Sequence, residues 1–136
     1  MHKQLFVNLP VADLPRAQAF FTTLGLSFNP QFTNEQAACL VIGENLYAML
    51  LVPDYFKSFS GRPVADARAA TEVMVAVSCE SRGEVDEIVR RALAAGGTAP
   101  RQPQDYGFMY SHSFDDPDGH IWEFFYMDPN AVAPAA

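Results

Sequence analysis

Between residues 4 and 11 apolar and polar positions alternate: Leu5, Val7, Leu9 and Val11 fall on one side, Gln4, Phe6, Asn8 and Pro10 on the other. That period of two predicts a strand. Asp13 then offers a helix N-cap with Pro15 in the first turn, and Ala17, Phe20, Phe21 and Leu24 recur at helical spacing before Gly25, which predicts a short amphipathic helix with a glycine stop. Three further strands are expected at about 27 to 32, 37 to 43 and 46 to 52, with turns at Thr33-Asn34-Glu35 and Gly43-Glu44-Asn45. The same order then returns. Residues 72 to 79 alternate as a strand, Ser81 and Glu84 have capping-box spacing, and Val85, Ile88, Val89, Ala92 and Leu93 form the apolar stripe of a second helix that ends at Gly96-Gly97. Strands at about 98 to 102, 108 to 114 and 121 to 127 complete the second half.

Both halves therefore read β-α-β-β-β, with Asp13 and Ser81 in corresponding places. Identity between the halves is faint, so the repeat is one of architecture. The fold class is α+β, in one domain made of module one at about 1–53, a connector at about 54–71, module two at about 72–128 and a tail at 129–136. Tyr55, Phe56 and Phe59 make the start of the connector aromatic, and such a segment wants a surface to cover: a cavity, the other half, or a dimer contact. The Pro/Ala stretch 131–136 is expected to fray.

Apolar residues make up 49% of the 136 positions and charged ones 18%, which supplies a real core and excludes a disordered chain. A net charge of -7 argues against nucleic-acid and anionic-membrane surfaces and mildly favours cationic or neutral ligands. Cys39 and Cys79 lie in strand-like runs without C-x-x-C spacing and read as free buried thiols. The start at Met1-His2-Lys3 leads straight into a strand, with no secretory leader and no apolar run near the roughly 18 residues of a membrane span, so the expected location is cytoplasmic.

One carboxylate stands out. After the turn Asp116-Pro117-Asp118-Gly119, alternation puts Trp122, Phe124 and Tyr126 on one face of the last strand and Ile121, Glu123 and Phe125 on the other. A charge among large apolar groups needs a partner: a metal, a donor, a proton or water. The plainer alternative is a glutamate at a wet cavity mouth or bonded to a neighbouring side chain. His112 and His120 read as surface or hydrogen-bonded histidines, because no second histidine stands at H-x-x-x-H spacing. Asp115, Asp116 and Asp118 resemble part of a calcium loop but lack its last glutamate and its flanking helices, so a hairpin turn explains them. Nucleotide-binding and α/β-hydrolase motifs do not occur.

The segments V-A-D-L at 11 to 14, A-F-F-T-T-L-G at 19 to 25 and D-P-D-G-H-I-W-E-F at 116 to 124 give the chain a resemblance to the vicinal oxygen chelate superfamily. This is the group of glyoxalase I, bleomycin-resistance proteins and extradiol dioxygenases. F-V-N-L-P-V-A-D-L and P-Q-D-Y-G-F-M-Y make it most similar to bacterial proteins described as glyoxalase-like. The resemblance implies two modules that curl a mixed sheet around a cleft. It also implies four inward metal-ligand positions, on the first and last strands of each module, and these fall at Phe6, Met49, Met74 and Glu123. Only Glu123 carries a metal ligand. A phenyl ring and two thioethers are no substitute for the four or so donors zinc wants, or the six or so of magnesium and nickel. No complete metal site is therefore expected and no cofactor is firmly implied, although a divalent ion is left open. Asn8, Tyr47, Glu72 and Phe125 are expected to line the ligand cavity with Phe6, Met49 and Met74, and Glu123 is the catalytic candidate.

Two functions of different class follow from the resemblance. One is a glyoxalase-like isomerase or lyase acting on a compound with adjacent oxygens, with Glu123 moving a proton beside a carbonyl. The alternative is a metal-free protein that binds or sequesters a small molecule, as in the bleomycin-resistance branch. A small-molecule ligand and a homodimer are the expected partners, with no nucleic acid and no membrane.

Overall fold

In the computed structural model, which describes residues 1–130, the chain divides into two compact units, with the boundary between Asp66 and Ala67. The Pro/Ala tail read from the sequence lies outside the described residues. In the first unit, alternation makes β1 (Leu5–Pro10), and Asp13 caps α1 (Leu14–Thr23) by accepting from the Arg16 N–H at 3.0 Å. β2 (Ser27–Asn29), β3 (Ala37–Gly43) and β4 (Leu46–Leu51) complete a sheet in the order β1-β4-β3-β2. β1 runs parallel to β4 and the other pairs are antiparallel. Leu9, Leu40, Ala48 and Leu50 are buried in the sheet, and Ala17, Phe20 and Phe21 are buried residues of α1, which packs on β3 and β4. Burying such a set stabilises the unit by about 25 cal/mol per Å² of apolar surface removed from water. α2 (Pro53–Ser60) follows, the element into which the aromatic connector folds.

The second unit repeats the plan. β5 (Met74–Ser78), α3 (Arg82–Ala94), β6 (Gln104–Asp105), β7 (Met109–Asp115) and β8 (Ile121–Met127) give the sheet order β5-β8-β7-β6, again with the first strand parallel to the last. α3 packs on β7 and β8, where Phe114, Trp122 and Phe124 are buried, the two phenyl rings stacked at 5.7 Å. Its own buried residues are Val85, Val89 and Ala92. No helix among the described residues is long and apolar enough to cross a membrane.

Several boundaries differ from the expectation. The strand expected at 27 to 32 stops at Asn29, because Pro30 has no N–H for a ladder and starts a 3-10 turn over Pro30–Phe32. The strand expected at 98 to 102 is reduced to one bridge between Thr98 and Asp115, and the true β6 is Gln104–Asp105, past Pro100 and Pro103. The fifth strand begins at Met74 and not at residue 72, which leaves Glu72 in the loop. Half of the capping box forms as expected, with Ser81 Oγ accepting from the Glu84 N–H at 3.1 Å; the Glu84 carboxylate takes the Glu80 N–H at 3.0 Å in place of that of Ser81.

Candidate functional site

Each sheet has one face covered by its helix, and the strand registers place the sequence candidates on the opposite face, where Phe6 and Met74 are exposed while Cys39 and Ser113 are buried. In the first unit Phe6 pairs with Tyr47 and Asn8 with Met49, so all four share a face. The Phe6 and Tyr47 rings are stacked, 4.6 Å apart and 16° from parallel. β1 is an edge strand, and Phe6 keeps 45% of its surface exposed there. Aromatic stacking at such a distance is a ready-made platform for a further flat ring.

In the second unit Glu123 lies between Ala76 on β5 and Ser113 on β7. Ile121 pairs with Met74 and Asp115, and Phe125 with Ser78 and Ser111. Alternation thus puts Met74, Glu123 and Phe125 on one face, with Met74 51% exposed. Glu72, expected among the lining residues, is exposed in the loop ahead of β5.

A cation reaches the same face that sequence reasoning did not single out. Arg101 donates from Nε to Ser113 Oγ at 2.6 Å and pairs through Nη2 with Asp115 Oδ1. Ser113 is the cross-strand neighbour of Glu123. His112 Nε2 donates to the Arg101 carbonyl at 3.1 Å and so ties the backbone of that arginine to β7. His112 is therefore a hydrogen-bonded, half-buried histidine.

The turn that delivers Glu123 is built around Asp116. Its Oδ1 accepts from the Asp118 and His120 N–H groups at 2.9 and 3.0 Å, and its Oδ2 from Trp122 Nε1 at 3.0 Å. Burial pushes the Asp116 carboxyl above its ordinary range, against the opposing pull of His120 and of the three donors. The hairpin reading of the three aspartates holds, and His120 is buried in that turn.

Both cysteines are free, Cys39 buried and Cys79 half-buried. Burial raises Cys39, and burial together with the Glu84 carboxylate pushes Cys79 up to about 11, so both are protonated at neutral pH. The donor set for a metal is equally poor. Among the described residues no three of His, Cys, Asp and Glu come together in a way that could hold an ion. Phe6, Met49 and Met74 offer a phenyl ring and two thioethers, so these residues do not fit the divalent ion of metal-dependent glyoxalases.

A model of the bleomycin resistance protein-like N-terminal family matches residues 3–43. Among solved structures, hypothetical protein SA1046 from S. aureus is 26% identical, with 93% of this chain and 94% of that one covered at a TM-score of 0.78. A glyoxalase/bleomycin resistance protein/dioxygenase family enzyme from Burkholderia phytofirmans is 16% identical, covering 90% and 96% at a TM-score of 0.76. A lactoylglutathione lyase from Agrobacterium tumefaciens is 21% identical, covering 94% and 96% at 0.66. Curated protein sequences give no match. The chain therefore has the fold of the glyoxalase/bleomycin resistance protein/dioxygenase structures.

Proposed function

We propose that this protein is a metal-independent small-molecule binder of the bleomycin-resistance type, which holds its ligand on the face of the first unit's sheet that carries Phe6 and Tyr47. The observation that carries this reading is the Phe6–Tyr47 stack, an exposed aromatic surface at a position where a metal-dependent relative would place a ligand atom. Met49, on the same face, is soft and adaptable and suits an apolar guest better than an ion. The net charge of -7 favours a guest with cationic character. The match to the bleomycin resistance-like family model over residues 3–43 supports the same reading.

Thermal-shift titration with a panel of planar cationic aromatics, in the presence of a chelator, tests it. A ligand at about a hundredfold over its Kd should stabilise the protein by roughly 2.7 kcal/mol. Phe6→Ala should weaken that binding about tenfold while changing the stability of the free protein by less than about 1 kcal/mol, since the ring is largely at the surface. Binding that needs an added divalent ion, or turnover of an adjacent-oxygen compound lost in Glu123→Gln, would favour the isomerase or lyase reading instead.

Homodimerisation is part of the proposal. Leu5 and Phe6 on β1, Phe59 on α2 and Met74 on β5 leave apolar surface open, Phe59 at 69%. Light scattering at micromolar concentration should return about twice the 15.0 kDa of one chain. A single-chain mass would refute that assembly.

A further inference from the structure

The second unit contains a concavity that takes no part in the binding proposed for the Phe6–Tyr47 face of the first. Arg68 donates from Nη2 to the Pro117 carbonyl, and its backbone N would stand 3.0 Å from a Cβ added to Gly119, so the segment at 67–71 lies across the β7–β8 turn. A cleft of about 370 Å³ is left there, with Arg68, Thr71, Thr98 and Arg101 among the residues that line it.

The acids in this lining are already engaged. Asp115 pairs with Arg101, and its backbone exchanges two hydrogen bonds with Thr98, at 2.7 and 3.1 Å. Asp116 is buried and accepts the three N–H donors of the turn. Arg101 commits Nε and Nη2 to Ser113 and Asp115, which leaves the two N–H groups of Nη1 for a guest. The side chain is 39% exposed, so solvent reaches it. Both arginines are anchored at both ends, Arg101 through His112 on its carbonyl and Arg68 by its close approach to Gly119. A guest would therefore meet donors already in place, which spares it the cost of ordering long side chains.

We propose that this cleft binds the oxyanion group, carboxylate or phosphate, of a small molecule, with Arg68 and Arg101 as its charge partners. Guanidinium is the side chain best matched to both groups. The net charge of -7 does not forbid this, because charges elsewhere on the surface are screened beyond about 8 Å at physiological salt while the two guanidiniums act at contact. Asp115 and Ile121 also belong to the face that carries Glu123, so the cleft adjoins that face without depending on any role for Glu123.

Amide NMR titration of the full chain with inorganic phosphate, and separately with malonate, decides it. Saturable shifts centred on Thr98, Asp115 and Gly119 are expected, with a midpoint in the low millimolar range or below and a loss of affinity as salt rises. Arg101→Gln and Arg68→Gln should each weaken binding about tenfold, whereas Arg90→Gln, on the exposed surface of α3, should leave it unchanged; the function proposed above is read with other ligands and with Phe6→Ala, so the two proposals fail separately. If loss of the Ser113 and Asp115 bonds unfolds Arg101→Gln, Arg68→Gln, which keeps those bonds, carries the comparison. Saturation by phosphate alone assigns a phosphate-bearing ligand, and saturation by malonate alone a carboxylate; either supports the site. Shifts that do not saturate by about 50 mM of either anion, or that persist unchanged in both arginine variants, would overturn it.

Discussion

Asp116→Ala should lower the stability of the second unit by about 3–5 kcal/mol, because the lost carboxylate leaves three donors without their acceptor, at roughly 1–3 kcal/mol for each that stays buried. The costliest is the Trp122 indole N–H, since Trp122 is fully buried and water cannot reach it. The backbone N–H groups of Asp118 and His120 sit in the turn and find water more easily, which keeps the total below the sum of three full penalties. For a unit of this size the melting temperature should fall by at least about 12 °C, measurable by calorimetry. A pH series adds a sign. Asp116 has its folded pKa raised, mainly by burial, so the folded state holds the proton more tightly than the unfolded chain. Wild-type stability should therefore fall, relative to Asp116→Asn, as pH rises from the ordinary carboxylate value of 3.8 through the raised one, and then level off. A variant as stable as wild type would remove Asp116 from the centre of this turn.

Gly119→Ala should cost about 2–4 kcal/mol, for two separable reasons. The residue has φ +88°, a region that costs an L-amino acid roughly 1–2 kcal/mol. A Cβ there would also stand 2.8 Å from Arg68 Cγ, 3.0 Å from Arg68 N and 3.2 Å from the Ala67 carbonyl carbon. The side-chain atom can swing away, but the backbone atoms cannot move without opening the turn. Gly107 provides the control: its φ is +81°, and nothing lies within 4 Å of where a Cβ would stand, so Gly107→Ala should show the conformational cost alone, about 1 kcal/mol. Chemical denaturation of both variants measures the difference. Equal losses would mean that the segment at 67–71 yields freely.

The repeat was legible because each half states its periods clearly. Leu5 to Val11 and Met74 to Ser78 alternate, Ala17, Phe20 and Phe21 recur at helical spacing, and Asp13 and Ser81 cap where their side chains predict. Parity then placed Phe6, Asn8, Tyr47 and Met49 on one face, since a period of two leaves no choice once the helix-covered face is known. Errors fell on prolines. Pro30, Pro100 and Pro103 sit in runs whose composition suits a strand but whose missing N–H groups end the ladder, so β2 is short and β6 is displaced.

What remained hidden in the sequence was contact between distant residues. Arg68 and Pro117, or Arg101 and Asp115, meet only because the chain returns, and no local spacing announces either pair. Asp116 was recognisable as a turn residue but not as a buried one, since its burial depends on Trp122 folding back over the turn. Glu123 had the clearest signal, a lone acid in an aromatic strand, yet its neighbour Ser113 and the arginine attached to that serine come from pairing that sequence alone does not reveal.

Metal analysis by mass spectrometry, on protein purified without chelators, tests the central claim most directly. With Phe6, Met49 and Met74 at the positions matched to metal ligands, the preparation should contain well under one equivalent of zinc, nickel or iron, and adding any of them should leave the melting temperature unchanged. About one equivalent of a transition ion per chain, lost in Glu123→Gln, would contradict the account and favour the metal-dependent isomerase or lyase reading.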